Sequence, residues 1–464
     1  MNDNTAISFD AHFDRTLVRA DGRSVRYLVV DVEAPALPEQ NTQEQPPLNL
    51  GLVLDASGSM DARDGGATEN ALEHHFGMSR LEAAQAASAG VAECLSGDDR
   101  LSVVSFADEA ITHLAGETLD GPGHALARQA IETIRTRGCT DLRGGWLEGA
   151  EQVAALMQES PNSRHRLLLL SDGHANRGIT DPEFLASEAD ALRRRGITTS
   201  TVGIGADYST EQIEALAAHG GGMMHHTASP SEIVEVVLAE LRQIKATVVE
   251  DLELEVSYDN GTSGAGGGGA TVDIEAMGLA SEQRGGTTSA VVGPLTGGAA
   301  RRVVFRIWVT TSDHTVDLNF RVGARWRAAG HDAHRTCETM TSLQVADKHD
   351  VYGEILDADV GESVARIWSA EIVTRAMVLN REGDYRKARH YVRDQLRHFE
   401  RYCRRFGGGE DLIDGLHKTM RRIVRPMREH SRKEIMTHSH KSARGARDLR
   451  AAMADESYEK YLDE

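Results

Sequence analysis

The stretch Asp55-Ala56-Ser57-Gly58-Ser59 sets three oxygen-bearing side chains at alternate positions directly after the apolar run 48–54. Hard divalent cations take oxygen ligands, and alternate residues on a tight loop can aim carboxylate and hydroxyl groups at one point. Gly58 supplies the backbone freedom that such a loop needs. Composition alone produces an Asp-x-Ser-x-Ser match in on the order of one in ten chains of this length, so the motif needs support from other segments. Two give it. Arg164-His165-Arg166 leads into Leu167-Leu168-Leu169-Leu170 and then Ser171-Asp172-Gly173, a second short apolar strand that ends in an acid. Between the strands, Gly138-Cys139-Thr140-Asp141 opens a helix-like run from Leu142 to Met157. In an open parallel sheet, ligands bind in the crevice beyond the carboxyl ends of the strands, so all three loops are expected on one edge.

On these residues the chain resembles the von Willebrand factor A domain family, whose metal-ion-dependent adhesion site combines Asp-x-Ser-x-Ser with a Thr from a second loop and an Asp from a third. The resemblance implies Asp55, Ser57, Ser59, Thr140 and Asp172 as metal residues, with no position of the pattern missing, and covers roughly residues 48–243. It implies Mg²⁺ as the cofactor, with Ca²⁺ or Mn²⁺ as alternatives, because hydroxyl and carboxylate oxygens serve all three. Neutral hydroxyls leave such a cation with net positive charge, so the expected outside ligand is an Asp or Glu of a protein partner. In relatives, exchange between water-mediated and direct coordination accompanies movement of the last helix, and the same two-state behaviour is expected here. An AAA+ ATPase of MoxR or chelatase type is one kind of partner the family suggests, with this chain as adaptor.

An enzyme is not expected. Hydrolysis needs a positioned base and a tuned metal-bound water. His174 follows Asp172 by two residues and His165 precedes the strand, but a lone histidine in such a place reads as a surface or capping residue. No nucleophile elbow, P-loop or dinucleotide fingerprint is present, and Gly203-Ile204-Gly205 reads as a strand-end turn. Cys94, Cys139, Cys337 and Cys403 lack metal or disulfide spacing, which fits a reducing compartment. Cys139, beside Thr140, reads as a small buried apolar residue rather than a redox switch.

The elements that must hold these loops follow from periodicity. At 464 residues the chain has room for two or three domains. Strand and helix patterns alternate over 48–245, predicting a doubly wound, mostly parallel α/β domain of Rossmann-like build. Strands at 7–13 and 25–32 have no partners nearby, and alternating strands return over 246–346, with Gly264 to Gly269 as a flexible hairpin end. An antiparallel β-sandwich is therefore expected, completed by residues 1–34, with 35–47 as linker and the α/β domain inserted between. That arrangement resembles the insertion seen in integrin β chains. Residues 61–78, including His74-His75, form a polar insertion expected on the surface beside the metal. Residues 347–430 read as helical, and 431–464 as a basic, partly disordered tail.

Charge is unevenly spread. The chain carries 51 Lys and Arg against 71 Asp and Glu, a net charge of -20, yet residues 373–450 hold 21 basic and 10 acidic residues. The body therefore disfavours nucleic acid and anionic membranes, while the tail leaves a weaker alternative: RNA binding in the manner of Ro-like proteins. Arg401-Tyr402-Cys403-Arg404-Arg405-Phe406 and Arg421-Arg422 mix cations with aromatics as a stacking surface would. No basic leader followed by an apolar stretch opens the chain, and no apolar run reaches the roughly twenty residues of a membrane span, so a cytoplasmic location is expected.

Overall fold

The computed structural model describes residues 6–36, 46–63, 77–173, 175–205, 208–227, 230–259, 270–312, 317–331, 333–428, 431–432, 435–436 and 439. Three expectations therefore lie outside the described residues: most of the 61–78 insertion with His74 and His75, the glycine-rich hairpin end at 264–269, and His174. Most of the basic tail lies outside them as well.

Three strands open the chain: β1 (Ser8–Phe13), β2 (Leu17–Arg19) and β3 (Gly22–Glu33). An α/β unit follows, comprising β4 (Leu48–Asp55), α1 (Arg80–Cys94), β5 (Arg100–Phe106), β6 (Ala110–Thr118), α2 (Gly121–Glu132), α3 (Leu142–Ala155), β7 (Arg164–Ser171), α4 (Pro182–Arg194), β8 (Ile197–Ile204), α5 (Thr210–His219), β9 (Gly221–Thr227) and α6 (Pro230–Ala246). Seven strands come next: β10 (Thr247–Asp259), β11 (Thr271–Ala276), β12 (Ser281–Arg284), β13 (Thr287–Thr296), β14 (Ala300–Thr311), β15 (Leu318–Ala328) and β16 (His334–Ala346). The last described elements are α7 (Lys348–Gly353), α8 (Ala358–Arg381), α9 (Tyr385–Phe406) and α10 (Glu410–Arg422).

The α/β unit is one six-stranded sheet in the order β6-β5-β4-β7-β8-β9, parallel except for β6 at its edge. Its central strands are buried on both sides, which is why they read as continuous apolar runs. Leu48, Leu50, Leu52 and Leu54 of β4 join Leu168 and Leu170 of β7 beneath α1 and α6. Val53, Leu167 and Leu169 point to the other face, where Trp146 of α3 and Leu185 of α4 cover them. Helix α3 lies unusually close to the sheet because glycines face it. A Cβ on Gly145 would fall 2.2 Å from Phe106 Cγ, and one on Gly149 would fall 2.3 Å from Val53 Cγ2.

The other strands form a four-stranded sheet, β1-β3-β14-β11, and a six-stranded sheet, β12-β13-β10-β15-β16-β2. β3 pairs along its whole length with β14, from Gly22 opposite Thr311 to Glu33 opposite Ala300, so segments on either side of the α/β unit share a sheet. Leu28 and Val30 of β3 pack in one cluster with Leu254, Phe320 and Val322 of the other sheet. The alternate residues Tyr27 and Val29 face the opposite way, into a cluster with Trp368, Phe399 and Tyr402 of α8 and α9. Period two thus lets one strand serve two cores. Ile435 and Met436 are buried in the same helical cluster.

The α/β unit is fastened to the six-stranded mixed sheet by buried charge. Arg166 of β7 donates to Glu250 of β10 at 2.7 Å, with both side chains almost fully buried. Arg193 of α4 pairs with Asp251 and lies 3.9 Å from Glu253, which Arg325 of β15 also meets from within the sheet. Arg164 reaches the two chain crossings, donating to the carbonyls of Pro46 at 3.0 Å and Ile244 at 2.7 Å. Helix α6 runs into β10 without an intervening loop. No helix among the described residues is long and apolar enough to cross a membrane.

Candidate metal centre

β4 is the strand at which the sheet order reverses direction, and its carboxyl end lies beside that of β7. Such a switch point opens a crevice. Asp55 ends β4 and is fully buried. Its Oδ1 accepts from the Ser57 amide at 2.8 Å, which folds the chain back, and its Oδ2 accepts from Ser171 Oγ of β7 at 2.6 Å. Burial, with the Asp172 charge adding to it, pushes the Asp55 carboxyl up to about 6, against the hydrogen bonds from Ser171 and Ser57.

The short 3₁₀ turn Gly58–Asp61 then presents Ser59 at the surface. Ser57 Oγ and Ser59 Oγ are 3.0 Å apart, and Ser59 Oγ donates to Asp172 Oδ1 at 2.7 Å. Four of the five predicted residues therefore form one connected group. Thr140 reaches the same mouth without a direct hydrogen bond to the other four. A Cβ added to Gly173 would lie 3.4 Å from Thr140 Oγ1 and 3.6 Å from Ser59 Oγ, so the absence of a side chain at 173 leaves the space between the two hydroxyls open.

Loop-to-loop hydrogen bonds set Thr140. Gly58 N donates to the Gly138 carbonyl at 3.2 Å, and Asp141 N donates to the Ala107 carbonyl at 2.8 Å. Asp141 caps α3, accepting from Gly144 N at 2.9 Å. Asn176 Oδ1 accepts from the Thr140 amide at 2.9 Å, while Asn176 N donates to the Thr140 carbonyl at 3.1 Å. Gly138 holds a left-handed backbone, φ 48°, with Asp108 packed where a side chain would stand.

Three contributors escape a reading of motifs alone: Ser171, Asn176 and Arg80. Arg80 Nη1 donates to Asp172 Oδ2 at 2.8 Å in a buried pair. The only sequence signal near it is the capping box, Ser79 to Glu82, which starts α1 with reciprocal bonds of 3.1 and 2.7 Å.

The donors suit a hard cation. Among the described residues no three His, Cys, Asp or Glu side chains converge. The group here is instead three hydroxyls and two carboxylates, an all-oxygen set for Mg²⁺, Ca²⁺ or Mn²⁺. Two expectations change. His165 is buried at the start of β7 and hydrogen-bonds Asn49 at 3.0 Å, about 20 Å along the strand from Asp172. Cys139 is exposed rather than buried, because the turn held by Gly138 carries it outward.

Comparisons with known proteins bear on the fold that carries these residues. Residues 49–238 match the family model of the von Willebrand factor type A domain. The chain is 28% identical over 233 residues to the uncharacterized protein YfbK of Escherichia coli, spanning 50% of this chain and 37% of that one. It is 30% identical over 220 residues to an uncharacterized protein of Synechocystis, spanning 47% and 46%. The matched region is thus less than half the length of these curated relatives. Among solved structures, a von Willebrand factor type A protein from Catenulispora acidiphila superposes with a TM-score of 0.64 at 17% identity, covering 90% of this chain and 91% of that one. A paralog of ArnB from Sulfolobus acidocaldarius gives 0.59 at 15% identity, covering 94% and 99%. Residues 49–238 accordingly form a von Willebrand factor type A domain within a longer chain.

Proposed function

We propose that Asp55, Ser57, Ser59, Thr140 and Asp172 constitute a metal-ion-dependent adhesion site that holds a divalent cation, Mg²⁺ first and Ca²⁺ or Mn²⁺ as alternatives. Through it the chain binds an Asp or Glu of a protein partner. One observation carries this reading. Hydroxyl and carboxylate oxygens from three loops meet at the switch point of the sheet, and Gly173 keeps their mouth clear. The bound cation would supply an electrophilic position for an outside carboxylate. Asp55 would contribute a buried anion, and Ser57, Ser59 and Thr140 would contribute neutral oxygens that leave charge available. The site is read as binding rather than catalytic, since His165 is remote from it. The four-stranded antiparallel sheet and the six-stranded sheet, mixed because β2 joins β16 in parallel, are read as a sandwich that carries the domain.

Calorimetric titration of the metal-stripped full chain with MgCl₂ and MnCl₂ tests this. Saturable binding is expected in the wild type, with loss in Asp55→Ala and weakening of roughly tenfold or more in Thr140→Ala. Unchanged binding in Asp55→Ala would overturn the assignment. A pull-down comparing wild type in Mg²⁺, wild type in EDTA and Asp55→Ala then names the partner.

A second reading has its own observation. Arg386, Arg389, Arg393, Arg397, Arg401 and Arg404 are exposed at steps of three or four along α9, opposite the buried Ala388, Val392, Leu396, Phe399 and Cys403. The stripe runs for about 30 Å. Asp394 and Glu400 neutralise part of it. Tyr402 is buried against Tyr27 and Trp368, so the aromatics expected to stack bases are core residues instead. The stripe fits phosphate contact without base readout. Labelled RNA titrated at 50 and 200 mM salt would show steep salt dependence, lost in Arg393→Glu/Arg397→Glu/Arg401→Glu; no binding by the wild type excludes this reading.

A further inference from the structure

Asp172 has both carboxylate oxygens engaged by the protein: Oδ1 by Ser59 and Oδ2 by Arg80. Its side chain is fully buried and that of Arg80 nearly so, at 7% exposure, which makes the contact a desolvated, charge-assisted pair. Arg80 is also built into place. It is the first residue of α1, directly after the Ser79 cap, and α1 packs through Leu81, Ala84 and Val91 on Ile233, Val237 and Leu241 of α6. On its other side, a Cβ on Gly205 at the end of β8 would fall 2.7 Å from Arg80 Nη2. Gly205, at φ 68°, leaves the room that the guanidinium fills.

We infer that Arg80 is a positioning residue for the cation site, acting as the fixed counter-charge of Asp172. Resting on the cation reading above, this assigns the two acids different work. Asp55 holds the cation, while the charge of Asp172 stays committed to Arg80. The cation then keeps more of its positive charge for an incoming carboxylate. Coulomb attraction in a buried setting is strong enough for one uncompensated charge at this range to change divalent-ion affinity by tenfold or more.

The sign of the effect makes the inference testable. Loss of a merely structural neighbour of a metal ligand typically weakens metal binding by about 10–100-fold. Replacing Arg80 by Gln removes the charge, shortens the side chain by two atoms and takes from Asp172 the guanidinium that now faces it. Arg80→Gln is therefore expected to bind Mn²⁺ roughly tenfold more tightly than the wild type, read from free Mn²⁺ by electron paramagnetic resonance. Acetate binding to the Mn²⁺-loaded protein, read from water-proton relaxation, should weaken by a similar factor. Arg80→Lys restores both.

A double-mutant cycle covers the case in which Arg80→Gln does not fold. Asp172→Asn alone removes the acid that Arg80 faces and should weaken Mn²⁺ binding about 10–100-fold, whereas Arg80→Gln/Asp172→Asn removes both charges of the pair and should return to within roughly threefold of the wild type. Equal or weaker Mn²⁺ binding in Arg80→Gln, or a double variant as weak as Asp172→Asn, overturns the role of Arg80 alone. Absence of Mn²⁺ binding to the wild type, with Asp55→Ala indistinguishable from it, overturns the cation site and this inference with it.

Discussion

The buried Asp55 carboxylate should make the metal-free domain less stable than its neutral isostere, a reversal of the usual cost of mutating a site residue. Burial pushes its carboxyl up to about 6, from an ordinary value of 3.8. The folded state therefore binds the proton more tightly than the unfolded chain does. Stability contributed by that proton is present below the unfolded value and is lost as pH rises through the folded one. The difference corresponds to up to about 3 kcal/mol at pH 7 and shrinks steadily as pH falls toward the unfolded value. Asp55→Asn keeps the size of the side chain and carries no charge, so in EDTA at pH 7 it should be the more stable by up to about 3 kcal/mol. For a domain near 200 residues that is a rise in melting temperature of roughly 6–12 °C. Calorimetry of both proteins in EDTA between pH 4 and 7.5 measures the gap. Cation at 100 times its dissociation constant adds about 2.7 kcal/mol to the wild type alone, which should bring the two level. Asp55→Asn melting below the wild type in EDTA at pH 7, or a gap that widens on acidification, would refute the burial argument.

Other consequences can be checked directly. Gly173→Val should fold with a melting temperature near that of the wild type but lose Mg²⁺ binding in calorimetry, because its side chain would stand between Ser59 and Thr140. Gly145→Ala meets Phe106 and should cost about 1–3 kcal/mol by lifting α3, with weaker cation binding through the displaced Thr140 loop, both read by melting with and without Mg²⁺. Arg166→Met strands Glu250 as an unpaired buried charge and should cost about 3–5 kcal/mol in chemical denaturation. Cys139, being exposed, should react with a maleimide in the native protein, whereas buried Cys403, whose thiol burial pushes up to about 12, should not.

The cluster of Asp55, Ser57 and Ser59 is legible because it is local in sequence. Asp55, Ser57 and Ser59 lie on one turn, and the all-apolar runs of β4 and β7 advertise strands covered on both faces. What escaped was non-local or weakly patterned. Arg80 meets Asp172 across 92 residues and Asn176 meets Thr140 across 36, and neither pairing leaves a periodic trace. β9 opens on two glycines and reads as the end of a helix rather than the start of an edge strand. β16 alternates exposed and half-buried residues, many of them polar, so its inward face lacks the apolar signal that marks β14. Cys139 departs from expectation because residue type favours burial while the backbone at Gly138 decides direction.

The ionic seam between the α/β unit and β10 also bears on how the protein can be taken apart. A fragment cut at residues 47 and 246 would carry Arg166 without Glu250 and Arg193 with Asp190 but without Asp251, and the complementary piece would keep Glu250 without Arg166 while Glu253 retained Arg325. Each half would display at the cut face the charge that the other lacks. An excised α/β unit would thus expose Arg166, a cation buried in the intact molecule, and any anionic ligand it captured there would report the surgery rather than the protein. Because α6 runs directly into β10, displacement of the start of α6 would strain the sheet at its other end instead of dissipating in a linker.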